Sequence, residues 1–241
     1  VIRVPEGCPT MHQAMDLAVI FSERNPPSGR RPVKIEVGEG QHVMVGVDLG
    51  SAGSHMLVSC NNIKIVGKGK GITTILGGFF VNNKQNVKIE QLSATNDAGY
   101  GLACKGSGTN VDVTECCFKK CQRSGVGVRE GATATATRCE FMENGTFGVA
   151  CGGANTKVRL NDSTMHHNGY YGLVAAKHAV VDLHGTTTEI HANTLYGIYA
   201  GRNAKINIHL PSQHNTSHDN FREDRYQEEG GSIANINADG T

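Results

Sequence analysis

The 241 residues carry 23 Lys plus Arg against 22 Asp plus Glu, with 38% hydrophobic residues, 31 glycines and no tryptophan. Charges that nearly cancel give no electrostatic reason to expect nucleic acid or an anionic membrane surface as a partner, and no apolar run approaches membrane-spanning length. The apolar content is enough for one elongated core and the glycines suit tight stacked turns, so a single domain over 1–241 is expected.

The first element lies in "CPTMHQAMDLAVIFSER". Thr10 stands as a cap before Met11, Ala14, Met15, Leu17, Ala18 and Phe21 at helical spacing, which predicts a capping helix near residues 10 to 23. "NPPSGRRP" breaks it and "VKIEVGEGQHV" opens the first strand, so residues 1–32 read as an N-terminal cap. The chain starts at Val1 rather than Met, which predicts an excised or processed segment and leaves the compartment unknown.

From there the sequence repeats itself. The first residues of successive V-x-L or I-x-I pairs, Ile63, Val87, Val111, Ala134, Val158, Val181 and Ile206, follow at intervals of 24, 24, 23, 24, 23 and 25. A glycine before an apolar residue recurs at Gly101, Gly127, Gly148, Gly172 and Gly197, and a third marker runs through Phe118, Phe141, Met165 and Ile190. Three phases sharing one period, each with period-2 alternation and no room for a helix, predict an all-β, right-handed, three-sheet parallel β-helix of about seven turns over 33–210. At about 4.8 Å per turn the rod is on the order of 34 Å long.

Asn144, Asn168, Asn193 and Asn215 recur where the chain must bend, which predicts a ladder of side-chain hydrogen bonds with each Asn tolerating the left-handed conformation. The segment Pro211 to Gly231 is polar and reads as a loop across the last turn, ahead of a last strand at Ile233 to Ile236, so 211–241 is expected as a polar C-terminal segment. The eight cysteines have no CxxC or Cys/His ligand spacing. Cys116 with Cys139, and Cys104 with Cys151, fall at inward phases, so they are read as core fillers, which favours a reducing compartment.

"PTMHQAMDLA" and "VKIEVGEGQHV", followed by N-x-x-x-G-apolar turns such as "HHNGYYGLVA" and "ANTLYGIYA", resemble the right-handed parallel β-helix repeat proteins of the pectate-lyase-like superfamily. The resemblance runs from about Pro9 to Ile208 and implies the scaffold. Its members include pectate lyases, polygalacturonases, pectin methylesterases and alginate epimerases, together with repeat modules that lack chemistry. The segments matching the carboxylate-bearing turns of polygalacturonases read "TFGV", "YYGL" and "LYGI", without a carboxylate, and the epimerase D-P-H is not recognisable.

Alternation then sorts the outward side chains. Inward Phe141, Met165 and Ile190 leave Glu140, Thr164 and Glu189 outward, followed by Met142, His166 and His191. Glu140, His166, Glu189 and His191 are the candidate catalytic set, since a carboxylate beside an imidazole can exchange a proton with a sugar. Carboxylate contact would raise the imidazole pKa and place linked changes between about pH 6 and 8. Arg159, Asp182, His184 and His209 form a second polar strip, read as a surface ion-pair ladder, and with Tyr199 make up the candidate binding residues. Tyr100, Phe147, Tyr171 and Tyr196, each two residues before an inward apolar residue, are expected to point inward as an aromatic stack. Ala103, Arg129, Ala150, Val174 and Tyr199 would form an apolar outward strip, with Ala150, Val174 and Tyr199 offering a subunit contact.

No cofactor is predicted, although histidines beside glutamates can hold a divalent cation. Two functions follow: a non-catalytic β-helix module binding a glycan or protein partner along a sheet face, or a carbohydrate-active enzyme with an atypical site. A deep groove with converging acids and bases would favour the enzyme, and a shallow face the binding module.

Overall fold

The computed structural model describes residues 1–44, 47–48, 54–209 and 216–236. Its strands form three sheets of ten, eight and nine strands that the chain visits in rotation, and all pairings except Val47–Asp48 with Ser54–Val58 are parallel. Seven regular turns run from Ile63–Val66 to Glu223–Gln227, with an irregular turn ahead of them beginning at Val33–Val37. This is the parallel β-helix that the repeat predicts.

The repeat markers are the register. Ile63 pairs with Val87, and the row continues through Val111, Ala134, Val158, Val181 and Ile206 in the ten-stranded sheet. Phe118, Phe141, Met165 and Ile190 do the same in the eight-stranded sheet. These residues are at most 7% exposed, so each turn stacks like on like inside one continuous core. One marker slips. Gly127 pairs with Ala103, so the glycine equivalent to Gly101 and Gly148 is Gly125, and Arg129 lies one outward position beyond Ala103 and Ala150.

The helix spans Met11–Arg24, with the Thr10 side chain accepting from Gln13 N at 3.2 Å, and it buries Met11, Ala14, Met15 and Ala18 over the open end of the core. Ile2–Val4 pairs in parallel with Val33–Val37 and adds an edge strand that three residues of sequence are too short to announce.

The ladder is present, with a different mechanism at the bend and a different last rung. Asn144, Asn168 and Asn193 are buried, and each passes hydrogen bonds to the next. The left-handed residues are the ones before them, Glu143, His167, Ala192 and Asp219, at φ 52 to 55°. Asparagine is needed for its amide, which both donates and accepts, rather than for its backbone tolerance. The rung below Asn193 is Asn220, whose Oδ1 accepts from Asn193 N and Nδ2 at 3.1 and 2.9 Å. Asn215 lies outside the described residues. Asn220 belongs to a further turn, Thr216–His218 and Glu223–Gln227, where the polar composition had suggested a loop. The last strand is Ser232–Ile236. All eight cysteines are buried and unbridged.

Candidate functional site

The eight-stranded sheet carries the acid–imidazole candidates on its outer side. Glu140 stands at the start of Glu140–Met142, and His166 and His191 end the next two strands, so Glu140 and His166 are diagonal neighbours. Glu140 Oε1 lies 3.2 Å from His166 Nε2, and Lys70 Nζ is 3.7 Å from the other carboxylate oxygen. Burial pushes the Glu140 carboxyl up, but the His166 hydrogen bond and the Lys70 charge outweigh it and hold the pKa below the ordinary value.

His191 does not meet a carboxylate in this way. Its ring stacks on His166 at 5.0 Å and on His218 at 5.3 Å, both within 7° of parallel, and His167 stands edge-on to both His166 and His191. The expected rise in pKa is therefore reversed at His191. Burial lowers it first, then the neighbouring imidazoles His166 and His218, and Glu189 opposes them only in part. Glu189 itself is exposed. Rings stacked face to face aim their nitrogens side by side rather than at one point, and among the described residues no three His, Cys, Asp or Glu side chains converge as a metal site.

On the ten-stranded sheet, Asp182 Oδ1 lies 3.0 Å from His209 Nε2 and accepts from Asn207 Nδ2 at 2.9 Å, while His184 stacks on His209 at 4.0 Å. Arg159 donates to Asn161 Oδ1 at 3.1 Å, within its own strand. The strip is thus an Asp182–His209 pair with a stacked imidazole, and the arginine is turned along its strand rather than across to Asp182.

The nine-stranded sheet holds what alternation misplaced. Phe147 and Tyr171 are half-exposed rather than inward, and join Tyr199, which is half-exposed on the outer face as expected: Phe147 stacks on Tyr171 at 5.1 Å and Tyr171 on Tyr199 at 5.0 Å. Tyr196, nearly buried, stacks on Tyr226 at 4.5 Å and extends the row by one turn. The cause is glycine. A Cβ on Gly148 would sit 2.6 Å from Gly172 O and 3.2 Å from Met165 Cγ, so this residue already faces the core, and the next one, Val149, faces it too. Alternation slips by one position there, and the ring before the glycine is sent outside. Tyr100 follows the same rule, with its ring edge 3.1 Å from where a Gly127 Cβ would stand on the outer face.

The result is a shallow groove along the rod. It holds about 580 Å³ lined by Ala150, Val174, Arg129, Glu130 and Lys177, and Phe147 brings one end of the aromatic row to its rim. A smaller hollow of 130 Å³ beside Tyr100, Ala103 and Gly127 shares Arg129, which donates to Tyr100 OH at 2.9 Å. The acid of this groove, Glu130, is paired with Lys105 at 3.2 Å. At the far end of the aromatic row Tyr199 donates to Glu228, and burial together with that bond pushes the phenol up. The candidate binding residue Tyr199 therefore belongs to the aromatic row of the nine-stranded sheet, whereas Arg159, Asp182, His184 and His209 are on another sheet.

Residues 45–221 match the sequence profile described as right handed beta helix region. No curated protein matches the sequence significantly. Among solved structures, ORF18 of Geobacillus virus E2 shares the fold at TM-score 0.51 and 11% identity over 86% of this chain and 53% of that one. The A-module of the mannuronan C-5 epimerase AlgE4 of Azotobacter vinelandii does so at TM-score 0.51 and 13% identity, over 84% and 74%. The chain thus spans about half the length of the viral protein, and at these identities the likeness is one of fold.

Proposed function

The chain belongs to the right-handed β-helix family, and on that footing we propose that it binds a linear polysaccharide along the nine-stranded sheet without cleaving it. The observation that carries this is the stacked row Phe147, Tyr171, Tyr199, which at Phe147 borders a hollow lined by Ala150, Val174, Arg129, Glu130 and Lys177. Because Phe147, Tyr171 and Tyr199 stack on one another they offer a sugar chain their outer edges, an apolar ridge with one aromatic per turn at about the 4.8 Å strand spacing, and the polar groups beside Phe147 can meet hydroxyls. The likeness in fold to the A-module of a mannuronan C-5 epimerase supports a polysaccharide as the kind of partner.

Binding is favoured over turnover because the groove lacks a paired acid and base. Its Glu130 is engaged by Lys105, while the Glu140–His166 pair lies on the eight-stranded sheet, a different sheet from the aromatics. A second reading, a carbohydrate-active enzyme, rests on that same 3.2 Å Glu140–His166 contact, which is a competent proton-exchange pair. Calorimetric titration with intact polysaccharides, followed by product analysis for new reducing ends, unsaturated uronates and epimerised sugars, separates the two. Binding with unchanged polymer is expected. Products that disappear in a Glu140→Gln variant would establish the second reading instead.

A further inference from the structure

The imidazole column on the eight-stranded sheet has no part in the groove, yet it occupies the outer position of three successive turns. His166, His191 and His218 are in register, with His191 between the other two. The outer rings each have a carboxylate of their own: His166 Nε2 meets Glu140 at 3.2 Å and His218 Nδ1 meets Asp219 at 2.9 Å. His191 has imidazole on both faces. His166 Nδ1 and His167 Nδ1 are 2.8 Å apart, a hydrogen bond that requires one of the two nitrogens to be unprotonated.

We propose that this column is an acid-triggered release for the C-terminal turn, Thr216–Gln227. While the rings are neutral they stack and seat Thr216–His218 on the sheet. Among the described residues that strand is the edge of the eight-stranded sheet, paired from one side, so it is the place where the stack gives way first. The outer rings each face a carboxylate, whereas a proton on His191 stands between two imidazoles about 5 Å away with no carboxylate bonded to it.

The groups facing the column are few. Glu140 comes from the preceding strand with Lys70 at its other oxygen, Met142 separates His166 from Lys119, Glu189 lies on the strand of His191, and His167 and Asp219 come from the turns. None of the carboxylates is bonded to His191 among the described contacts. The sign follows. The His191 pKa is lowered from 6.5 in the folded chain, so the unfolded or released turn binds the proton more tightly. The stack's contribution is complete above about pH 6.5 and is lost as the pH falls below it. Release of this turn would also remove Tyr226 from Tyr196 and shorten the aromatic row, a consequence that rests on the glycan reading, whereas the release itself does not.

Hydrogen exchange of the ligand-free protein tests it, comparing pH 7.5 with pH 5.5 after correction for intrinsic rates. Exchange over 216–227 is expected to rise by roughly ten-fold at the lower pH, the order set by like charges at such a separation near a surface, while 63–90 stays unchanged. His191→Phe keeps an aromatic ring in the stack without a charge and should abolish the rise. Equal exchange at both pH values in the wild type, or an undiminished rise in a folded His191→Phe, would overturn the proposal. If that variant does not fold, an NMR titration of the wild type decides: release coupled to His191 protonation supports it, and a turn that stays protected after His191 is protonated refutes it.

Discussion

Asn168→Ala removes the middle of the amide ladder, and its cost can be worked from the bonds. The side chain donates to Phe141 O at 3.1 Å and Asn193 Oδ1 at 2.9 Å, and accepts from Asn144 N at 3.1 Å and Asn144 Nδ2 at 3.0 Å. Truncation leaves the Asn144 N–H and the Phe141 carbonyl without these partners in a region closed to water, since Asn168 is 0% and Asn144 1% exposed. Asn193 Oδ1 keeps the bond from Asn168 N. Two orphaned buried groups at about 1 to 3 kcal/mol each, partly relieved by relaxation, give about 3 kcal/mol. For a chain of this size that lowers the melting temperature by roughly 6 to 12 °C. Denaturant melts of Asn168→Ala, Asn193→Ala and the double variant provide the assay, and the double should cost less than the sum because the two residues share a bond. A loss below about 0.5 kcal/mol for Asn168→Ala would refute the reasoning, since it would mean that the ladder amides are not needed to satisfy the turn.

Gly148→Ala should destabilise by about 1 to 3 kcal/mol through overpacking, because the added methyl meets Gly172 O and Met165 Cγ; an unchanged melting temperature would show that this position does not face the core. Burial pushes the Cys104 thiol up to about 12, so a colourimetric thiol reagent at pH 8 should find it silent until denaturant is added. Asp182 is pushed up by burial, but its bonds to His209 and Asn207 outweigh that and set its pKa below 3.8. Its contribution is therefore complete above 3.8 and lost as the pH falls through the folded value, and Asp182→Asn should flatten that part of an acid melting profile.

The fold was legible because a solenoid writes its register in the sequence: Ile63 to Ile206 is one row of stacked core residues, and their spacing alone gave the turns. Alternation failed wherever glycine removed the side chain that marks the face. Tyr171 is two residues before inward Leu173, but Gly172 faces inward as well, so the ring lies outside and the groove was missed. The polar stretch after residue 215 hid a turn because its strands are polar and carry no apolar row, and only Asn220 in "DNFRED", 27 residues after Asn193, could have flagged it. Glu140 and His166 were placed together correctly, since both lie inside regular strands. The imidazole column escaped notice because its third member, His218, belongs to that hidden turn.

The central claim is that the aromatic row on the nine-stranded sheet grips a polysaccharide. The most direct measurement is a glycan array probed with the wild type, a Phe147→Ala plus Tyr171→Ala variant, and a His166→Ala variant as a folded control on the eight-stranded sheet. Retention of one polymer class by the wild type and the His166 variant, with at least a ten-fold loss in the aromatic variant from about 1.4 kcal/mol of lost apolar contact, is the predicted result. Retention that survives loss of both rings, or that disappears with His166 alone, would contradict it.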